Sequence, residues 1–302
     1  MQTTPTILRA IRPTAAGSSA SPRSTCLRLC GTLFGVCTLL GACAGMPASP
    51  ATAPSQTTRA QTSPATARER AALAPTGRLR VGVYSGSPSS YVAGAAGQPA
   101  RGVGYLLGQA FAERLGVPFE PVVFPGNAAL LAAAGQGQVD IVFTNATAER
   151  ARSLDFSPAM LDVQKSVLVP AASPLTSLEA LRGRPTRIGV STGSSTGAEL
   201  AEVFPQARLQ PVPTLQEAAS LLSQNRLEGF ATNNAILFEL ADRVPGSRVL
   251  PGAWGLEHFA LGIPKGRADG RDFVAAFARE ATVSGLMRRA VDESRLRGTV
   301  AP

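Results

Sequence analysis

From residue 77 onward, short apolar runs alternate regularly with stretches of helical periodicity. The run RLRVGVY ends at Tyr84, and the segment YLLGQAFAERLG has helical spacing and ends at Gly116, as a helix C-terminus should. The same order of strand and helix repeats as far as residue 294. Such alternation predicts an α/β fold whose sheets are largely parallel.

Two segments of this region resemble each other. LLAAAGQGQVDIVFTN ends a helix, turns, and runs a strand into Thr-Asn at 144–145, and LLSQNRLEGFATN does the same into Thr-Asn at 232–233. Aligned on the asparagines, Asp140 matches Glu228. A two-residue match can arise by chance, but the shared helix–turn–strand context favours two pseudo-symmetric lobes. Because ligands bind beyond the carboxyl ends of strands in open α/β sheets, we expect both asparagines to face one cleft.

The N-terminal segment carries every cysteine of the chain, at positions 26, 30, 37 and 43. Arg28 precedes an apolar run over 29–40 that is too short for a membrane span and suits a signal peptide. The ending LLGAC resembles a bacterial lipobox, which makes Cys43 the lipidated residue and residues 1–43 the signal peptide. Ordinary cleavage near ACAG, with no lipid, is the alternative.

Residues 44–76 consist mainly of Ala, Pro, Ser, Thr and Gln. With so few large apolar side chains, this segment is expected to be a disordered tether. Together, a signal peptide, a lipid site and a tether predict a protein on the periplasmic side of a bacterial membrane, anchored through Cys43. The net charge of +9 comes from scattered arginines without interleaved aromatics, so no nucleic-acid partner is expected.

The chain from Gly77 to about Arg297 resembles the bacterial extracellular solute-binding proteins of family 3, the polar amino-acid receptors of ABC importers. The segments that carry the resemblance are GRLRVGV, GVGYLLGQAFAERLG, GQGQVDIVFTNATAERARSLDFSP, LRGRPTRIGVSTGSSTGAEL and GIPKG, in that order. The family implies a two-lobed periplasmic-binding-protein type II fold, with two hinge strands and a ligand cleft between the lobes. It places lobe 1 at residues 77–166 plus 252–302 and lobe 2 at 167–251. It also implies a monomeric receptor and an ABC permease in the inner membrane as partner.

The resemblance further implies how a ligand carboxylate is held. Arg150 stands where the family's T-x-x-R loop presents an arginine, whose guanidinium gives two parallel hydrogen bonds to a carboxylate. The alternatives are Arg152, or Arg150 as a solvated charge paired with Glu149. Ser194 and Ser195, in STGSSTG, stand where the second lobe offers hydroxyls to the same carboxylate. A helix N-cap role for either serine is the alternative.

Other predicted site residues follow the two strand ends. Asn145, with Thr144 before it, takes a position that a hydroxyl residue usually fills and can donate through its amide. Asn233 is the corresponding residue of lobe 2. An apolar or aromatic part of the ligand is expected against Tyr84 or Phe143.

The chain departs from the family at the acids that hold an ammonium group. The first-helix region reads GVGYL without a carboxylate, Asn233 replaces an acid in lobe 2, and Tyr84 stands where an aspartate often follows the first strand. Because an unpaired ammonium in a closed cleft is unfavourable, the sequence predicts a small carboxylate-bearing ligand without a free amine. If amino acids bind nevertheless, Glu257 or Asp155 is the acid expected to hold the ammonium.

The leading hypothesis is therefore a receptor for a small anionic or zwitterionic solute, not an enzyme. Alternatives on the same fold are a dehydratase-like enzyme, which needs an acid or base in the cleft, and a sensor lobe for a membrane kinase. The globular part shows no metal-ligand spacing, phosphate loop or nucleophile elbow, so neither a metal nor a cofactor is expected.

Overall fold

The computed structural model describes residues 64–300, and its helices and strands follow the alternation expected from the sequence. The first part contains α1 Ala67–Leu73, β1 Leu79–Tyr84, α2 Val103–Leu115, β2 Phe119–Phe124, α3 Asn127–Gly135, β3 Ile141–Asn145, β4 Leu154–Phe156 and β5 Leu161–Val169. The middle part contains β6 Arg187–Ser191, α4 Thr196–Val203, β7 Arg208–Val212, α5 Leu215–Ser223, β8 Gly229–Asn233, α6 Asn234–Ala241 and β9 Arg248–Val249. The last part contains β10 Gly255–Pro264, α7 Arg271–Val283, α8 Leu286–Glu293 and β11 Thr299–Val300, and 3-10 turns lie at Arg150–Arg152, Glu179–Leu181 and Ala268–Gly270.

Two long strands connect the two lobes. The strands run in the order β2-β1-β3-β10-β5-β8-β6-β7. In lobe 1, β1 pairs in parallel with β2 and β3, and β10 runs antiparallel to β3. In lobe 2, β6 pairs in parallel with β7 and β8, and β5 runs antiparallel to β8. Since β5 and β10 also pair with each other, they are the two hinge strands that the family resemblance implies.

The two lobes repeat one another down to single hydrogen bonds. In lobe 1 the backbone N–H of Arg80 donates to the Asp140 carboxylate (2.9 Å), and the N–H of Asp140 donates back to the Arg80 carbonyl (2.7 Å). In lobe 2 the N–H of Arg187 donates to the Glu228 carboxylate (2.9 Å), and the N–H of Glu228 donates to the Arg187 carbonyl (2.9 Å). The sequence match of Asp140 with Glu228 therefore reflects one shared structural role.

A glycine occupies the same place in the first strand of each lobe. A Cβ atom on Gly82 would lie 2.6 Å from Leu130 Cδ1, and one on Gly189 would lie 2.6 Å from Leu227 Cδ1. Both distances are far below van der Waals contact. Helix α3 in lobe 1 and the turn before β8 in lobe 2 can pack on the sheet at this distance only because no side chain is present there.

The prediction of a disordered tether over 44–76 is wrong for its last part, because α1 is a helix. The Thr66 Oγ1 accepts from the Glu69 N–H (3.2 Å), and the Glu69 carboxylate accepts from the Thr66 N–H (2.6 Å), which forms a capping box. Leu73 is 0% exposed and packs against Gly270. The contact is so close that a Cβ atom on this glycine would lie 2.4 Å from Leu73 Cδ2. One buried leucine and a capped start thus order a segment of low hydrophobicity.

Other predictions about chain organisation stay open. The signal peptide over 1–43, the lipidation of Cys43 and the tether over 44–63 lie outside the described residues. The lobe boundaries at 77–166 plus 252–302 and 167–251 also stay predictions. Within residues 64–300, no helix is long and apolar enough to cross a membrane.

Candidate ligand-binding cleft

The carboxyl ends of β3 and β8 meet at one cavity beside the hinge strands. Its volume is about 20 Å³, enough for roughly one water molecule. Seven of the eight predicted ligand-binding residues line it, and the side chains around it are Tyr84, Asn127, Phe143, Thr144, Asn145, Arg150, Ser191, Ser194, Thr232, Asn233, Ile236, Glu257 and Phe259. The eighth predicted residue, Ser195, lies directly behind, where its Oγ accepts from Asn145 Nδ2 (3.3 Å). The structure thus brings the residues predicted from the sequence together at one cavity, and their role in ligand binding stays a prediction.

Arg150 points into this cavity from the 3-10 turn after β3. Its Nη1 donates to Thr144 Oγ1 (2.8 Å) and to the Asn145 carbonyl (3.0 Å), and its Nη2 donates to the Gly193 carbonyl (3.4 Å). These three partners are all uncharged, so within residues 64–300 the guanidinium is positioned without being neutralised. Arg152, the alternative hook, is exposed and does not line the cavity.

Hydrogen bonds from Asn127, Arg150 and Asn145 join the lobes across the cleft. Asn127 Nδ2 donates to the Gly193 carbonyl (2.9 Å), and Arg150 Nη2 reaches the same oxygen (3.4 Å). Asn145 Nδ2 donates to Ser195 Oγ (3.3 Å). The Asn145 amide is fixed at its other end, where its Oδ1 accepts from the His258 N–H (2.8 Å). The cleft is therefore closed, and the small cavity volume follows from this closure.

The two serines before α4 differ in their hydrogen bonding. Ser195 is the N-cap residue by position, yet its side chain makes no capping bond. The Ser194 hydroxyl is buried, lines the cavity and has no hydrogen-bond partner among the described residues. Since buried polar groups normally have a partner, the Ser194 hydroxyl is available to a ligand.

Glu257 places a carboxylate in the cleft, and it is one of the two acids expected from the sequence to hold an ammonium if amino acids bind. This residue is 6% exposed and lines the cavity from hinge strand β10. Its Oε2 accepts from Asn233 Nδ2 (2.8 Å). Asn233 in turn accepts from the Ile236 N–H through Oδ1 (3.2 Å), which fixes its amide and hence the position of the Glu257 carboxylate.

The other acid named from the sequence lies elsewhere. Asp155 pairs with Lys265 (2.6 Å) and Arg271 (3.7 Å) and does not line the cavity. A signal for Glu257 was present in the sequence of β10. Glu257 has the strand parity of the buried residues Phe259, Leu261 and Ile263, and an acid on the buried face of a strand is rare unless it is partnered.

Burial and charge shift the ionisation of the cleft residues in opposite directions. Burial raises the pKa of Glu257, while the Arg150 charge, the Asn233 hydrogen bond and the Lys165 charge act against this rise. Burial lowers the pKa of Arg150, and the negative charge of Glu257 counteracts that fall. Burial also raises the pKa of the Tyr84 phenol. The cleft thus holds a buried cation and a buried anion that form no salt bridge with each other, and burial disfavours the charged form of each.

Within residues 64–300, no group of three or more His, Cys, Asp or Glu side chains could hold a metal ion. His258, the one histidine of the chain, is half-exposed and pairs through Nδ1 with Asp162 (2.7 Å). The groups available to a ligand are hydrogen-bond donors and acceptors, one guanidinium and one carboxylate.

Fold and cleft together define a two-lobed solute-binding protein, and comparisons with known proteins agree. The sequence profile of the bacterial extracellular solute-binding proteins, family 3, matches residues 79–293. The chain belongs to this family. It is 25% identical over 134 residues to the ABC transporter glutamine-binding protein of Bacillus subtilis, which covers 44% of this chain and 49% of that protein. It is 26% identical over 131 residues to a glutamine-binding protein of Geobacillus stearothermophilus, which covers 43% of this chain and 50% of that protein. The matched region therefore spans about half the length of these relatives.

Solved structures confirm the fold. A T. maritima arginine-binding protein mutant superposes with a TM-score of 0.65 at 19% identity, over 73% of this chain and 96% of that one. The Neisseria gonorrhoeae solute receptor for L-cysteine gives a TM-score of 0.67 at 24% identity, over 77% and 99%. At these identities the structural similarity establishes the type II fold and does not identify the ligand.

Proposed function

We propose that this protein is the receptor of an ABC importer and that it closes on a small zwitterion, an α-amino acid. The observation that carries the proposal is that Arg150 and Glu257 line the same cleft between the lobes. Since the closed cleft has room for about one water molecule, the lobes would separate to admit a ligand and close again around it. A ligand without an amine, the class favoured by the sequence, would leave the Glu257 charge without a ligand partner. An α-amino acid supplies the complement of both groups.

The ligand carboxylate is assigned to Arg150, with the Ser194 hydroxyl as an additional donor. A guanidinium offers two parallel charge-assisted hydrogen bonds to a carboxylate, and Ser194 has no other partner among the described residues. The ligand ammonium is assigned to Glu257. Because Arg150 belongs to lobe 1 and Ser194 to lobe 2, a ligand that bonds to both favours lobe closure, and a permease can recognise the closed shape.

The test is a thermal-shift screen that compares each α-amino acid with its deaminated carboxylic acid. A ligand at 100 times its dissociation constant stabilises the protein by about 2.7 kcal/mol, which raises Tm by several degrees. We expect the amino acid of the best pair to give the larger shift, and Arg150→Ala to abolish it. Arg152→Ala is the matched control, since this exposed neighbour does not line the cavity. Equal shifts from the deaminated acids would refute the assignment of Glu257.

An enzyme of the dehydratase kind is the second candidate, because Glu257 supplies a buried acid whose pKa is raised by burial. We favour the receptor, because the hydrogen bond from Asn233 stabilises the ionised form of Glu257. An ionised carboxylate is the partner that a ligand ammonium needs. Mass spectrometry after prolonged incubation separates the two functions. A receptor returns its ligand unchanged, whereas an enzyme converts it.

A lipid anchor at Cys43 and an ABC permease as partner complete the proposal. The lipobox-like LLGAC supports the anchor, and family membership supports the permease. In a bacterial host, the wild-type protein is expected in the membrane fraction and Cys43→Ser in the soluble fraction. The same location for both proteins would argue for cleavage without lipidation. A sensor role for a membrane kinase is distinguished by uptake of labelled ligand, which a transport receptor supports.

A further inference from the structure

We infer that the cleft selects α-amino acids whose side chain is uncharged. This inference rests on the proposed function, because it assumes that Arg150 and Glu257 hold the ligand's carboxylate and ammonium. It adds a restriction on the third part of the ligand, the side chain, which neither the fold nor the two assigned contacts define.

The charges in the cavity lining are already balanced. Of the described residues that line it, Arg150 and Glu257 carry the formal charges, and all the others are neutral. A zwitterionic main chain uses both charged groups. No lining residue in this part of the chain is then left to neutralise a charge on the ligand's side chain.

The charged residues just outside the lining cannot take that role. Lys165 is 4% exposed and pairs with Glu199 of α4, so these two charges satisfy each other. Glu149 and Arg152 are exposed to solvent and lie outside the lining. A third ligand charge would therefore be enclosed in the closed cleft with no partner, which is strongly unfavourable.

The neutral lining suits a neutral side chain. Thr232 and Ser191 offer hydroxyls at the strand ends of lobe 2. Phe143 and Phe259 form an apolar wall, with ring centroids 5.4 Å apart. Such a surface can contact an apolar group or form hydrogen bonds with a neutral polar group. It has no charged partner for an ammonium, a guanidinium or a carboxylate on the side chain of the ligand.

The experiment uses isosteric ligand pairs that differ in the charge of the side chain. Dissociation constants of the wild-type protein are measured by isothermal titration for citrulline against arginine and for glutamine against glutamate. In each pair that binds, the neutral member is expected to bind about 30-fold tighter or more, the scale of an unpaired buried charge. The two members have nearly the same size, so a difference in affinity reports charge.

The outcomes separate this inference from the proposed function. If arginine or glutamate binds as tightly as its neutral partner, the selection inferred here is overturned while the receptor for zwitterions stands. If deaminated acids such as propionate bind as well as alanine, the assignment of Glu257 to an ammonium fails. If no α-amino acid of a full panel binds, both the proposed function and this inference are overturned.

Discussion

Replacing Glu257 with glutamine should weaken ligand binding without destabilising the free protein. Glutamine has nearly the same shape and can still accept the hydrogen bond that Asn233 Nδ2 donates to Glu257 (2.8 Å). The substitution therefore removes a charge and little else. Losing one partner of a buried charge pair costs about 2–5 kcal/mol, so the dissociation constant for an α-amino acid should rise roughly 30- to 4,000-fold.

The pKa of Glu257 gives the sign of the effect on stability. Burial raises this pKa above its value in the unfolded chain. A carboxyl group of this kind favours the folded state when protonated, and this contribution is lost as the pH rises through the raised pKa. Above the raised pKa the ionised Glu257 therefore costs stability, and in that pH range the ligand-free Glu257→Gln variant should be as stable as the wild type or more stable.

The same shift predicts how binding depends on pH. An ammonium ligand needs ionised Glu257, so the wild-type affinity should fall as the pH is lowered through the raised pKa. The Glu257→Gln variant should not show this fall in affinity at low pH. Isothermal titration across pH, with urea unfolding of the free proteins, measures both effects, and Glu149→Gln is the control for loss of an exposed acid. Unchanged affinity in Glu257→Gln would contradict the assignment of the ligand ammonium to Glu257. A clear loss of stability at a pH above the raised pKa would contradict the predicted cost of the buried charge.

Three further changes test the cleft and the fold. Arg150→Lys should weaken binding about 10-fold or more, because lysine cannot form the bidentate contact, while Arg152→Lys should leave it unchanged; equal effects in titration would contradict the role of Arg150. Leu73→Ala should destabilise the protein by about 2–5 kcal/mol, because Leu73 is 0% exposed; a urea midpoint equal to the wild type would show that α1 contributes nothing. Gly189→Ala should cost about 1–3 kcal/mol, since its Cβ would lie 2.6 Å from Leu227, and a thermal scan without loss would contradict this contact.

The strand ends were predictable from the sequence because their signals are local. Asn145 and Asn233 each follow a short apolar strand, and the turn that carries Arg150 follows the first of them within a few residues. Local periodicity and an internal repeat therefore sufficed to predict that the two asparagines face one cleft, whereas Arg150 was placed there only by the family resemblance. The family resemblance then distinguished Arg150 from Arg152.

Glu257 could not be placed in the same way. Its environment depends on the pairing of β10 with β5 and on Asn233 from lobe 2, contacts between segments far apart in the sequence. Alternation along β10 shows that Glu257 shares a face with apolar residues, but it does not show that this face opens onto the ligand cavity. The identity of the second charged group therefore had to come from the tertiary structure.

Helix α1 was missed for a different physical reason. Its composition, mainly alanine and arginine, resembles that of the low-hydrophobicity segment before it, and composition alone does not show the Thr66–Glu69 capping box. Leu73 packs against Gly270 and Arg267 donates to the Leu73 carbonyl. These are contacts with a segment far away in the sequence, which the composition of α1 does not reveal.

The most direct test of the central claim is a crystal structure of the protein with the α-amino acid that binds best in the thermal-shift screen. We expect the ligand carboxylate to lie within hydrogen-bond distance of the Arg150 guanidinium and the Ser194 hydroxyl, and the ammonium to contact the Glu257 carboxylate. A ligand held with its ammonium away from Glu257, or with its carboxylate away from Arg150, would contradict this claim.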